Sequence, residues 1–391
     1  MSAERIYLDF AATTPVRAEV LAAMQPFFSE IGHNPSSLHA EGRRARAALD
    51  TARDAAAASL GVGRKELVFT GSGSEADNQA LIGAARANPG KRHLVASAVE
   101  HHAILHALDA LRGDGYEVTL LEVDERGLVD PGVFVRALRD DTLLASVMLA
   151  NNETGTIQPV AQLAALARER GVLMHTDAVQ AAAWLDVRPR ILGVDLLSLS
   201  AHKLYGPKGV GLLYVRDGVA LAPLVHGGGQ ESGRRSGTEN LPGIVGFARA
   251  LELAEEGREE RFRHVGALRD RLETGILAGI SDVRVHGSGA RRLPNIANVA
   301  FGDLDSEALL MALDLEGLAV SAGSACTSGA LEPSHVIAAL TPDPHWQQGV
   351  IRFSLGYTTT AEEVARLLSL LPGLVSRLRG NRVSARKARL A

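Results

Sequence analysis

The chain reads as an α/β protein: a mostly parallel sheet covered by helices on both faces, followed by a smaller α+β lobe. Between residues 67 and 215, short apolar runs alternate with segments of helical period, the pattern of parallel strands joined by crossover helices. At 391 residues the chain exceeds one small core, so two lobes are expected. Beyond Leu241 the pattern changes to a long charge-rich helical stretch and then to sparser strands.

In chain order, Arg5–Phe10 reads as a short strand and Ala11–Pro15 as a loop with Pro near the first turn of a helix over Val16–Ile31. Residues Gly32–Ser37 are rich in turn formers, and Leu38–Leu60 is a long Ala/Arg helix. Strands are expected at Leu67–Thr70, His93–Ser97, Val118–Val123, Leu143–Leu149, Val172–Thr176, Asp195–Leu199 and Gly211–Val215. Helices are expected at Ala76–Ala87, Ala103–Arg112 and Val160–Arg170. After the charged stretch around Glu255–Arg261, strands recur near Val283–Val285, Asn295–Phe301, Ala319–Ser321 and Val350–Leu355, with helices at Ser306–Leu315 and Ala361–Leu371. The expected division is a large domain over 15–255, a small domain from 1–14 and 256–379, and a disordered basic tail over 380–391, where arginine and lysine have little apolar surface to bury.

Composition narrows the function. A net charge of −4 gives no global reason to expect binding to nucleic acid or to a membrane surface. No stretch approaches the roughly 20 apolar residues that span a bilayer, and residues 1–10 lack a signal-peptide core. A cytoplasmic protein is expected. The single cysteine, Cys326, rules out an intramolecular disulfide and a cysteine-rich metal site. Its neighbours, Ser321 to Gly329, are small, polar and glycine-bracketed, so a mobile loop bearing a reactive thiol is expected in place of a buried one.

The candidate chemistry clusters at strand ends. In Leu196–Gly209 an apolar run ends in Ser200-Ala201-His202-Lys203, which sets a primary amine at the carboxyl end of a buried strand, where open α/β sheets bind ligands. Such an amine can form a Schiff base with an aldehyde cofactor, while Ser200 and His202 donate to its phosphate. Thr70-Gly71-Ser72-Gly73-Ser74-Glu75 leads from strand to helix and suits one phosphate group, being neither a dinucleotide fingerprint nor a Walker loop. Asp177, just past a strand, suits either a helix cap or pairing with a pyridinium nitrogen. His101 can stack on a flat ring and carry a proton. Asn152 lies in a turn after the strongest strand, where an amide can meet a phenolic oxygen. The glycine- and arginine-rich loop His226–Asn240 suits an anion through Thr238 or the arginines. Arg352, on an apolar strand, needs an anionic partner: a substrate carboxylate or a structural carboxylate serves equally.

Taken together and in this order, these segments resemble the fold-type I pyridoxal-phosphate enzymes, and within them the cysteine desulfurases of the NifS/IscS type. The most specific pieces are Ser200–Lys203, His226–Glu231, Arg235–Thr238 and Ser324–Ser328, and the likeness runs from Tyr7 to Gly356. Ser74 stands where many relatives have threonine, which keeps the hydroxyl. The longer cysteine loop, with Leu331–Ser334 after it, is similar to one subgroup of that family.

The resemblance implies pyridoxal 5'-phosphate on Lys203. Asp177 would sit at its ring nitrogen, Gln180 and Asn152 at its phenolic oxygen, and His101 on its face. Gly73, Ser74, Ser200 and His202 would hold the phosphate, with Thr238 reaching the site of the other subunit of a homodimer. It further implies L-cysteine as substrate, with its carboxylate on Arg352 and Asn34, and sulfur left as a persulfide on Cys326. An acceptor such as an iron–sulfur scaffold protein would then take it. No metal is implied. An aminotransferase or β-lyase on the same scaffold, including a selenocysteine lyase, is the alternative.

Overall fold

The computed structural model describes residues 5–323 and 333–390, with side chains through residue 381. Its strands are β1 (Ile6–Tyr7), β2 (Leu67–Thr70), β3 (His93–Ser97), β4 (Glu117–Leu121), β5 (Thr142–Ser146), β6 (Leu173–Asp177), β7 (Leu196–Ser200), β8 (Gly211–Val215), β9 (Val283–Val285), β10 (Ile296–Phe301), β11 (Leu318–Ala319) and β12 (Val350–Ser354). Seven of them form one sheet in the order β2-β8-β7-β6-β5-β3-β4. Every pairing from β7 to β4 is parallel; β8 runs antiparallel to both its neighbours. β8 follows β7 after a short loop, too short for the helical crossover that a parallel neighbour needs.

Alternation along the strands sends side chains to two opposite cores. Leu67, Phe69, Leu197, Leu199, Leu212 and Tyr214 join one apolar cluster, while Val68, Leu196, Leu213 and Val215 join the other. Burying each leucine contributes roughly 2 kcal/mol before the cost of ordering it. The helix Ala40–Leu60 ends at Gly61, whose φ of +64° is the left-handed conformation that glycine adopts without strain. It packs on the helix Leu241–Glu255 over the first of these cores.

Beyond the large sheet, β9, β10 and β12 form an antiparallel sheet in the order β12-β10-β9, and β1 pairs in parallel with β11. The N-terminal strand is therefore stitched to the C-terminal part of the chain: Ser354 N donates to Leu8 O at 2.7 Å and Phe10 N to Ser354 O at 3.2 Å.

Several sequence expectations shift. The helix expected over 16–31 is an α-helix only at Ala18–Met24, because Pro26 tightens the next turn into a 3₁₀ helix, Gln25–Phe28. The helix expected from Ala76 starts at Gly73 and carries a π turn at Gln79–Gly83. The charged stretch is two helices, Leu241–Glu255 and Arg258–Gly279, hinged at Gly257 with φ +62°. The helix expected to stop at Leu371 runs as Ala361–Leu390, through Pro372. The backbone is thus helical through the basic segment read as disordered, whose alanine, arginine, lysine and leucine are good helix formers. No helix among the described residues is long and apolar enough to cross a membrane.

Candidate active site

The parallel strands point their carboxyl ends at one cavity of about 240 Å³. Asp177 closes β6 and Ser200 closes β7. Lys203 ends the short 3₁₀ turn Ala201–Lys203 that follows β7. His101 caps the helix His102–Gly113 after β3, and Asn152 lies in the turn after β5. Gly73 and Ser74 open the helix that follows β2, with Ser72 as the N-cap accepting from Glu75 N at 3.1 Å. Asp177, Ser200, Lys203, His101, Asn152, Ser72, Gly73 and Ser74, with Gln180, His202 and Arg352, line the cavity.

The Lys203 amine donates to the carbonyls of Ala11 and Ala12 at 2.6 and 2.8 Å. Gln180 Nε2 donates to the same Ala11 oxygen at 2.8 Å. The loop after β1 is thus one wall of the site. Asp177 Oδ1 accepts from Val179 N at 2.8 Å. Burial pushes the Asp177 carboxyl up to about 6, and the Lys203 charge pulls it back toward ionisation.

His101 Nδ1 accepts from Ala103 N at 3.1 Å, so in the neutral ring the proton sits on Nε2. Burial, then the charge of Lys203, pushes this imidazole down to about 4. His202 is also pushed down to about 4 by the same causes, and its Nδ1 lies 3.1 Å from Thr13 Oγ1.

Arg352 is 2% exposed. Its Nη1 donates to Asn152 O at 2.9 Å and its Nη2 to Asp9 Oδ1 at 3.0 Å, while Nε is buried without a hydrogen bond among the described residues. The structural carboxylate is therefore present, and a donor is left over for an incoming anion.

The donor set fits pyridoxal phosphate on physical grounds. A Cβ at Gly73 would meet Val179 Cγ2 at 3.0 Å and Ser200 Cβ at 3.2 Å, so the helix start is a cradle that only glycine leaves open. A Cβ at Gly211 would stand 2.3 Å from the Ser72 carbonyl, so β8 holds that loop closely. A helix start, a primary amine, a carboxylate and an imidazole converge on one volume.

The structure does not bring every candidate here. Asn34 is exposed, its Oδ1 accepting from Ser36 N at 2.8 Å within its own turn. Thr238 is exposed and lines a separate cavity with Gly71 and Arg235. Cys326 and Ser324 lie outside the described residues.

Conversely, sequence reasoning missed Asp77, which is 1% exposed and lines the cavity. Burial and the Asp177 charge push its carboxyl well above the usual carboxylate range. It also missed Glu100, buried, whose Oε1 accepts from Ser97 Oγ and from Met148 N at 2.8 Å. Burial pushes Glu100 up to about 8. The available signal was an acid placed one helical turn past the phosphate loop, or just past a strand, among apolar residues.

Comparison with known proteins agrees with this geometry. The sequence profile of the Aminotransferase class-V family matches residues 6–367. The cysteine desulfurase IscS of Dictyoglomus turgidum is 46% identical over 96% of this chain and 95% of its own length. That of Methanosarcina thermophila is 47% identical over 96% and 93%. Among solved structures, a NifS-like protein superposes with a TM-score of 0.90 at 38% identity, covering 96% of this chain and all of that one. SspA in complex with cysteine superposes with a TM-score of 0.80 at 34% identity, over 90% of this chain and 99% of its own. The chain belongs to the class-V aminotransferase family and, within it, to the pyridoxal-phosphate-dependent cysteine desulfurases.

Proposed function

We propose that this enzyme takes sulfur from L-cysteine, releases L-alanine and keeps the sulfur as a persulfide on Cys326 for transfer to an acceptor protein. One observation supports the assignment most: the backbone of Arg352, whose guanidinium lines the amine-bearing cavity, pairs with Ser321, five residues before Cys326. Arg352 N donates to Ser321 O at 2.7 Å and Ser321 N to Arg352 O at 3.2 Å. The segment bearing the only thiol therefore starts from the cavity wall.

When bound, pyridoxal phosphate supplies an electron sink that weakens the Cα–H and Cβ–S bonds of the substrate. Gly73, Ser74, Ser200 and His202 would hold its phosphate. Asp177 would keep negative charge at the ring nitrogen, Asn152 and Gln180 would hold the phenolic oxygen, and His101 would stack on the ring. Lys203 anchors the cofactor and then, as a free amine, moves the proton of Cα. Arg352 orients the substrate carboxylate through its unsatisfied Nε. The Cys326 thiolate attacks the substrate sulfur. The S–S bond forms as Cβ–S breaks, the electron pair passes to Cβ, and Cβ takes a proton to give alanine. A thiolate at neutral pH needs a pKa below the usual value of about 8.5 or a nearby base.

The proposal extends to a homodimer in which the exposed Thr238 reaches the phosphate of the partner. An iron–sulfur scaffold protein serves as acceptor. A thiol that must stay reduced suits the cytoplasm. The expected division into a large domain over 15–255 and a small one from 1–14 and 256–379 is consistent with the separate sheets.

Cys326→Ala tests the central claim. The variant should keep cofactor absorbance yet release no sulfide from L-cysteine. Undiminished sulfide release overturns the role of Cys326, and pyruvate or a keto acid in place of alanine would select the lyase or aminotransferase.

A further inference from the structure

Glu153 is a third buried acid, after Asp77 and Glu100, that the reaction above does not use. It is 1% exposed, and neither carboxyl oxygen makes a well-formed hydrogen bond among the described residues. Leaving such a group unsatisfied costs stability, so a purely architectural role explains it poorly. Its backbone, by contrast, is held on every side. Glu153 N donates to Asn151 Oδ1 at 2.9 Å, as does Thr154 N, and Glu153 O accepts from Asn298 Nδ2 at 3.2 Å. The side chain is therefore aimed by a rigid turn.

That aim is toward both flanks of the segment that carries Cys326. At Gly323, where φ is +81°, an added Cβ would stand 3.4 Å from Glu153 Oε2 and 3.8 Å from Ser334 Cβ. The two flanks thus come together beside one carboxyl. Burial pushes this carboxyl above the usual carboxylate range, and the hydroxyl of Ser334 with the charges of Arg352 and His102 offsets part of that rise. Each flank is also held separately, one by the cavity-lining Arg352 and the other by the residue before His101. Ser321 pairs with Arg352 and donates through Oγ to Gly323 O at 3.2 Å, while His335 Nε2 donates to Glu100 O at 2.9 Å. The residue before Glu153 supplies the carbonyl that receives Arg352 Nη1. A single turn thereby contacts the anion-binding guanidinium and both flanks of the thiol-bearing segment.

We propose that Glu153 is a positioning residue for sulfur transfer: its carboxyl seats Gly323 and Ser334 against the turn that holds Arg352, and so governs how fast sulfur reaches Cys326. This role presupposes that Cys326 is the sulfur acceptor. Glu153 is not among the residues that line the cavity, so its loss should slow transfer to Cys326 and leave cofactor and substrate binding alone. Glutamine keeps the size and hydrogen-bonding capacity of the group; alanine removes both.

The test is a rapid-quench, single-turnover experiment on the holoenzyme with L-cysteine, with persulfide on Cys326 quantified by alkylation and mass spectrometry. The cofactor absorbance change on adding L-cysteine is followed in parallel. Glu153→Ala should load Cys326 at least tenfold more slowly than the wild type, with cofactor content and the absorbance change within twofold. Glu153→Gln should recover loading to within threefold. If the alanine variant does not fold, Glu153→Leu replaces it with the same expected slowing. Loading by the alanine or leucine variant within threefold of wild type overturns the proposal, as does an equal loss of the absorbance change or a glutamine variant as slow as alanine. Wild-type enzyme that never forms the persulfide marks instead the failure of the Cys326 assignment, a different result from a variant that loads normally beside a loading wild type.

Discussion

Buried Arg352 and half-buried Asp9 form an ion pair across 343 residues of sequence, with Nη2 3.0 Å from Oδ1. Among the described residues Nε has no partner, which makes the guanidinium both a strut and a binding group. A buried charge stripped of its partner costs several kcal/mol, so the two roles can be separated by substitution.

Arg352→Lys should raise KM for L-cysteine by at least tenfold, because a point-charge ammonium cannot hold Asp9, Asn152 O and a carboxylate in one plane. Cofactor content should be retained. Steady-state kinetics across a cysteine series check it, and an unchanged KM removes Arg352 from carboxylate binding.

Lys203→Ala should abolish turnover and the near-visible absorbance of the bound cofactor together. The two Ala carbonyls that receive the amine cannot supply a nucleophile in its place. Absorbance spectroscopy of the purified variant decides the matter: a wild-type spectrum would mean that another amine carries the cofactor.

Gly73→Ala should weaken cofactor retention by about tenfold with little change in fold. The added carbon would come within 3.0 Å of Val179 and 3.2 Å of Ser200, narrowing the phosphate cradle. Equilibrium dialysis against pyridoxal phosphate measures the change, and circular dichroism serves as the control. Retention equal to wild type would place the phosphate elsewhere.

His286 offers a pH prediction away from the cavity. It is 2% exposed, its Nε2 donates to Trp346 O at 3.0 Å, and burial pushes it down to about 4. In the unfolded chain it titrates near 6.5, so between these values the folded protein binds fewer protons than the unfolded one. Stability should therefore fall as pH drops from about 6.5 toward 4, by up to roughly 3 kcal/mol from this residue. Urea unfolding of His286→Gln across that range should show a shallower acid limb. Identical slopes in variant and wild type would refute the assignment.

The strands of the large sheet were legible because apolar runs such as Leu196–Leu199 must be buried on both faces, and burial follows from residue type alone. Their ends then placed Lys203, Asp177, Ser200 and His101 at a common edge. What stayed hidden depends on distant chain. Nothing local marks the Ala11 and Ala12 carbonyls as partners of Lys203, since any residue has a carbonyl. The antiparallel course of β8 is a matter of connection length, and the buried acids Asp77, Glu100 and Glu153 look like ordinary helix and turn residues until their surroundings close over them. Asn34 was expected beside Arg352, yet a turn hydrogen bond to Ser36 N occupies its side-chain oxygen on the surface.

The hydrogen bonds that tie residues 8–10 to Ser354 have a consequence for biosynthesis. A ribosome-bound chain that already contains the whole large sheet still lacks the strand that docks its own beginning, and with it a fixed wall opposite the essential amine. Cofactor loading should wait until translation has passed residue 354.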